Sequence, residues 1–286
     1  MKYVVLSFDD GRKDFYTDVL PILKKYRLPA TLNVITDTLD GPSLCGRAAF
    51  PAYITKEELM GCAASGVEIA CHSADHTNDL EQIRKGMGAL AAALQMPGGR
   101  PAGFASPHSD ICEKNFDRYS GLLKDGTVLY IRSGRQVKRD GYLHAALYVL
   151  CRVTRSKRLF CWYNRRDLIC MDGGTRTAKR KGAPGRCFYP SVSCNADNSI
   201  GQILALLRSM PDDHAVILLF HSILSPGGPG WGADKWQNSV GQFDELCRYL
   251  SRCTDCKVVT NAQLHELASR TGALADTAER TKEQDT

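Results

Sequence analysis

A barrel of parallel β-strands wrapped in α-helices, incomplete or distorted, is the fold class this sequence predicts. Three observations predict it. Short β-rich apolar runs alternate along the chain with segments whose apolar residues recur at helical spacing, the pattern of parallel strands covered by helices. Six or seven such strands can be counted, which suits a (β/α) barrel short of the usual eight. Reactive residues stand directly after several of them, where barrels of parallel strands gather their chemistry. The composition agrees: 286 residues, 43% hydrophobic and 24% charged, can bury a full core and exclude a disordered chain. The longest apolar run, near Ala215–Phe220, falls far below the roughly 20 residues that cross a bilayer.

Taken in order, Lys2–Phe8 is the first strand, rich in valine and leucine and ended by Asp9-Asp10-Gly11. Phe15–Tyr26 carries Phe15, Val19, Ile22, Leu23 and Tyr26 at helical spacing. Ala30–Ile35 is the second strand, Glu57–Ala64 a short helix, and Val67–Cys71 a third strand running into His72. Leu80–Leu94 gives the longest helical pattern, Ala102–Ala105 a fourth strand, Phe116–Leu123 a helix and Thr127–Ile131 a fifth strand. Beyond a basic block, Ala215–Phe220 is a fully apolar strand and Val240–Arg252 a helix, and Lys257–Thr260 with Gln263–Ala268 closes the chain as strand and helix. One domain over residues 1–274 is expected, with a basic insertion at 132–186 and a polar tail at 275–286 that frays.

Three groups at strand ends carry chemistry. Adjacent carboxylates such as Asp9 and Asp10 resist joint ionisation, and a cation relieves that cost. His72 and His76, four apart, can share one face of a helical turn and clamp a metal with a carboxylate as third ligand. Two histidines and one carboxylate leave a position open for water, which suits hydrolysis, and the second aspartate is then free to act as a base. His221, at the end of the apolar strand, is placed to protonate a leaving group. Zinc is the expected divalent metal for such ligands, and Co2+, Ni2+ or Fe2+ fit them too.

Four motifs carry a family resemblance. Ser7-Phe8-Asp9-Asp10-Gly11 resembles the first motif of the polysaccharide deacetylase (NodB-like) family, carbohydrate esterase family four, and His72-Ser73-x-x-His76 its second. Phe104-Ala105-Ser106-Pro107-His108 is similar to the third in the F-A-x-P branch, and Leu219-Phe220-His221 to the last. The resemblance implies a distorted (β/α)7 barrel and a metal-dependent deacetylase. It implies Asp9 as general base, Asp10, His72 and His76 as metal ligands, and His221 as general acid. On the substrate side it places Pro107 and His108, the latter through its backbone N–H or as an additional ligand. Arg132 resembles an arginine of F-A-x-P relatives that stands in for the arginine of the other branch, the alternative being a surface arginine of the basic block. The aspartate that tunes the acid histidine has no clear counterpart, Asp172 being one candidate. Trp231, in Gly230–Trp236, either stacks on a sugar face or packs its own loop.

The net charge of +6 conceals a contrast. From Arg132 to Arg186 fifteen lysines and arginines stand against three acids, so this block carries +12 and the rest of the chain −6. Around the apolar stretch Tyr142–Leu150, the block suits an anionic membrane surface, a lipid-phosphate-linked sugar or another acidic substrate, or simply a solvated cap. No nucleic-acid-binding motif accompanies the charge. Twelve scattered cysteines and an N-terminus without signal-peptide layout predict a reducing cytoplasm, with contact at the membrane periphery through the block. The expected activity is removal of an acyl group, acetyl above all, from an amino sugar, polysaccharide or lipid-linked glycan by water activated at the metal. Hydrolysis of a small cyclic amide or formamide on the same site is the alternative, and a non-catalytic carbohydrate-binding relic the third reading.

Overall fold

The computed structural model describes residues 1–39, 52–96, 101–134, 141–171, 187–233 and 235–270. In chain order its strands are β1 (Lys2–Phe8), β2 (Thr31–Val34), β3 (Glu68–Cys71), β4 (Gly103–Ala105), β5 (Tyr130–Gly134), β6 (Ile169–Cys170), β7 (Phe188–Ser193), β8 (His214–Phe220), β9 (Ser222–Leu224), β10 (Gln237–Ser239) and β11 (Cys256–Val258). Seven of them, β1 to β5, β7 and β8, pair in parallel with their neighbours. The ring closes where β8 lies along β1, from Tyr3 opposite Ala215 to Phe8 opposite Phe220. This is the distorted (β/α)7 barrel that the sequence predicts.

The distortion has a definite form. β1 meets β2 only at Ser7 and Phe8, and lower down β11 occupies that edge of β1 at Lys2–Val4. Likewise β7 meets β8 only through Val192 and Ser193, while β6 runs antiparallel to the start of β8. Two seams are therefore splayed at the N-terminal end of the barrel and filled by extra strands. The predicted strand Lys257–Thr260 is one of these fillers, β11, and not a barrel strand. The sixth barrel strand in chain order is β7, which sequence periodicity missed, as it missed the helix Ile200–Ser209. The fifth strand runs Tyr130–Gly134, three residues beyond its predicted span, so Arg132 belongs to the barrel and the connection begins after Gly134. The predicted tail and the candidate Asp172 lie outside the described residues, as does part of the basic block.

Side chains alternate along the strands with a period of two. Val4, Leu6 and Phe8 of β1 and Val216, Leu218 and Phe220 of β8 join the large core shared with the surrounding helices. Val5, Ala215 and Ile217 belong to a second cluster with Tyr130, Tyr189 and Leu264 inside the barrel. Phe8 touches Phe15, Phe220 and Phe243 with ring centroids 5.0 to 5.5 Å apart, so the residue before Asp9 is locked in an aromatic cluster. Among the described residues no helix is long and apolar enough to cross a membrane.

Candidate metal centre

The C-terminal rim of the barrel is where β1, β3 and β8 release Asp9, His72 and His221. Asp9 remains tied to the sheet through its N–H, which donates to the carbonyl of Phe220 at 2.9 Å. Asp10 and Gly11 then turn with φ of 74° and 70°. A left-handed pair is uncommon outside glycine, and a Cβ on Gly11 would stand 3.1 Å from Cγ1 of Val34. The turn gives the two carboxylates different partners.

Asp10 faces the histidines. Its Oδ1 lies 3.5 Å from Nε2 of His72 and 3.6 Å from Nε2 of His76, and is buried without a hydrogen-bond partner. Its Oδ2 accepts from Nε of Arg12 at 3.0 Å and pairs with the other arm of the fork at 2.9 Å. His72 is fixed from behind by a 2.9 Å hydrogen bond between Nδ1 and the carbonyl of Ala105, which leaves Nε2 directed at Asp10. One donor atom from each of Asp10, His72 and His76 lies within 4.8 Å of the others. An orphaned carboxylate oxygen beside two imidazole nitrogens is what a divalent cation would satisfy, so these residues fit the metal that the motifs imply.

The histidines do not share a helical turn, as their spacing suggested. His72–Thr77 is a bend in which Ser73 and His76 have φ of 64° and 65°, and it brings the two rings to 5.0 Å. The helix Leu80–Ala93, capped by Asp79, holds this bend from outside. Gly86 of that helix has no room for a side chain: a Cβ would stand 2.8 Å from Sγ of Cys71 and 2.8 Å from the Ser73 carbonyl carbon. Gly86→Ala is therefore expected to lower stability by about 1–3 kcal/mol through overpacking, and to weaken metal retention by displacing the bend. Urea melts and metal analysis of the variant would check both.

Charge in the cluster is balanced internally. Burial works against the Asp10 carboxylate, yet His72, His221 and Arg12 hold its pKa well below the usual carboxylate range. Burial also works against His72 as a cation, but Asp9 and Asp10 raise its pKa. Burial and the neighbouring His72 push His76 down to about 4, leaving its ring neutral.

Asp9 faces inward. Its Oδ1 accepts from Nδ2 of Asn33 at 2.9 Å and from the guanidinium of Arg132. Arg132 is fully buried, so it is not a surface arginine of the basic block. It stands behind Asp9 and does not line the cavity.

That cavity, of about 690 Å³, contains Asp9, Asp10, His72, His76, His108 and His221. His221 is half-buried, with its Nδ1 buried and without a hydrogen bond, and its ring lies 5.0 Å from that of Trp236. Its pKa is lowered by burial, which outweighs the two carboxylates. Two further expectations need correction. Trp236 lines the cavity, whereas Trp231 is 40% exposed and lies outside it. Pro107 is buried off the cavity, where its carbonyl accepts from Nδ2 of Asn78 at 2.9 Å. His108 does line it, its ring 4.4 Å from His76.

Sequence reasoning also passed over Arg12, Asn33 and the roof of the cavity. Arg12 donates from Nη1 to Oγ of Ser222 at 2.7 Å as well as to Asp10. The signals were an arginine directly after Asp-Asp-Gly and an asparagine in the middle of an apolar strand. The roof comes from the basic block: Tyr148, Cys151, Phe160, Tyr163 and Asn164 line the cavity from helices Tyr142–Thr154 and Lys157–Asn164.

A seven-stranded parallel barrel thus brings Asp10, His72 and His76 together at its C-terminal rim. Residues 1–115 match the polysaccharide deacetylase family model, a span that contains the first three motifs but not His221. The chain is 36% identical over 75 residues to "Putative polysaccharide deacetylase YxkH" of Bacillus subtilis, covering 26% of this chain and 24% of that protein. It is 28% identical over 110 residues to a "Bifunctional xylanase/deacetylase" of Pseudobutyrivibrio xylanivorans, covering 37% of this chain and 16% of that protein. It therefore spans a quarter or less of the length of these curated relatives. Among solved structures, peptidoglycan deacetylase PdaC of Bacillus subtilis aligns with a TM-score of 0.49 and 16% identity, covering 100% of this chain and 98% of that one. A family 4 acetyl xylan esterase from Clostridium thermocellum aligns at 0.48 and 17%, covering 93% and 91%.

Proposed function

We propose that this protein is a metal-dependent hydrolase that removes an acyl group, acetyl in the first place, from an amino sugar or glycan. The observation that carries the proposal is the buried, unpartnered Oδ1 of Asp10 facing His72 and His76, beside a second carboxylate held by Arg132. Asp10, His72 and His76 would hold the cation. When bound, such an ion polarises an acyl carbonyl and acidifies water. Asp9 takes the proton of the attacking water, and Arg132 with Asn33 keeps its carboxylate aimed. His221 delivers a proton to the departing nitrogen. Its lowered pKa makes the imidazolium a strong acid and confines its loading to the acid side of the usual histidine range.

The roof of helices and the aromatic side chains Tyr148, Phe160, Tyr163 and Trp236 suit a chain end or a single sugar better than the middle of a polymer. The same enclosure gives the small-amide reading its support. Elemental analysis of protein purified without chelators, followed by acetate release from N-acetylated sugars, tests the proposal. Stoichiometric metal with acetate release is the expected result. Metal with hydrolysis of cyclic amides or formamides but of no acylated sugar would replace the proposal with the small-amide reading. Absence of both metal and turnover would leave the relic.

A further inference from the structure

The helix Tyr142–Thr154 is fastened to the barrel by one side only. On that side Tyr148 donates to Oδ2 of Asp197 at 3.0 Å, Arg152 pairs with Oδ1 of the same carboxylate at 2.8 Å, and the Cys151 carbonyl accepts from Nε2 of Gln202 at 3.4 Å. A surface helix normally turns polar residues to water on its other side. Here Tyr142, Leu143, Ala146, Val149, Leu150 and Val153, spaced by three and four residues, form one exposed stripe. Tyr142 is 97% exposed, Leu143 76% and Val153 74%. Thr154, at the end of the helix, turns its hydroxyl back to the carbonyl of Leu150 at 2.7 Å. On the next helix Trp162 is 59% exposed, one turn from Arg158.

The charged residues carried by this helix pair have one sign, although Arg152 is paired with Asp197. Between residues 141 and 166 stand Arg152, Arg155, Lys157, Arg158, Arg165 and Arg166, and no acid. Apolar side chains, an exposed tryptophan and cations with long stems match the layers of an anionic lipid surface: acyl boundary, headgroup level and phosphate. A protein partner would more often be met by a face with fewer exposed cations around its apolar centre. The helix has 13 residues, enough to lie in the interface and too few to span it.

We propose that the outer face of the helix pair 142–164 docks on an anionic bilayer surface, and so brings the wall of the cavity to amphiphilic substrates. The docking does not depend on the deacetylation reading, and its test reads binding and not turnover. The full chain is sedimented with vesicles of phosphatidylcholine alone and with vesicles containing phosphatidylglycerol, at low and high salt. At least about tenfold stronger binding to the anionic vesicles, weakened by salt, is expected. Leu143→Glu/Val153→Glu should abolish binding while circular dichroism, metal content and hydrolysis of a soluble substrate stay unchanged. Arg158→Glu/Arg165→Glu should lower it and reduce its salt dependence. Brominated lipid should quench tryptophan fluorescence in the parent and not in Trp162→Phe. No binding to anionic vesicles at low salt would overturn the proposal. So would a dimer in sedimentation velocity that Leu143→Glu/Val153→Glu dissociates in a chain that ignores vesicles, since a second copy would then be the occupant.

Discussion

Asp9→Asn is expected to lower kcat by about two to four orders of magnitude and to leave metal content unchanged, because removing a positioned base costs that much and Asp9 is not among the ligands. The variant also leaves the fully buried Arg132 facing an amide in place of a carboxylate. Breaking one half of a buried pair costs about 3–5 kcal/mol, so a lower midpoint in denaturant should accompany the loss of turnover. The two effects separate in Asp9→Asn/Arg132→Met. With the orphaned cation replaced by an apolar side chain, most of the stability should return and none of the turnover. Arg132→Met alone should lose stability by leaving the buried Asp9 carboxylate without its cation. Full activity in Asp9→Asn would end its assignment as base. Recovery of activity in the double variant would show that the defect was structural.

How much of this was legible beforehand depended on whether a signal was local. The alternation of strands and helices from Lys2 to Ile131 could be read because its strands are largely apolar and its longest helix, Leu80–Ala93, is periodic. The dyad Asp9-Asp10 and the histidines at 72 and 76 stood out because such residues are costly at the ends of buried strands. β7 was missed because Phe188–Ser193 mixes Pro190 with two serines, and it is a strand by virtue of its neighbours, paired in parallel with β5 and β8. The helix Ile200–Ser209 did carry a local signal, the capping box Ser199-x-x-Gln202 ahead of an apolar run, which could have been found. Long-range geometry was out of reach. Nothing in the sequence around Arg132 shows that its guanidinium crosses 123 positions to meet Asp9, nor that residues 142–164 roof the cavity. Which of Trp231 and Trp236 lines the cavity was out of reach for the same reason, since both sit in one stretch of chain and only the fold selects between them.

His72→Ala is expected to abolish stoichiometric metal binding, and the pH dependence of stability should show why. In the metal-free protein the folded-state pKa of His72 is raised by Asp9 and Asp10, against the opposing effect of burial. The protonated ring therefore contributes stability that is fully present below the ordinary histidine value. It is lost as pH rises through the higher folded value. A cation needs the neutral ring, so metal and proton compete for one position and the metal gains as the proton leaves. The stability gap between loaded and metal-free protein, set by affinity and free metal, should accordingly be narrow under acid conditions and widen above the raised pKa. In His72→Ala the gap should vanish at every pH and the metal-free protein should lose its acid-side gain. Arg12→Gln separates holding from ligation: the Asp10 carboxylate keeps its place in the chain but loses the fork on Oδ2. Metal affinity should fall by about 10–100-fold, as for other partners that orient ligands, while the widening of the gap with pH survives. Metal retained in full by His72→Ala after dialysis would remove that residue from the centre. An unchanged affinity in Arg12→Gln would mean that the turn at Asp10 and Gly11 alone sets the carboxylate.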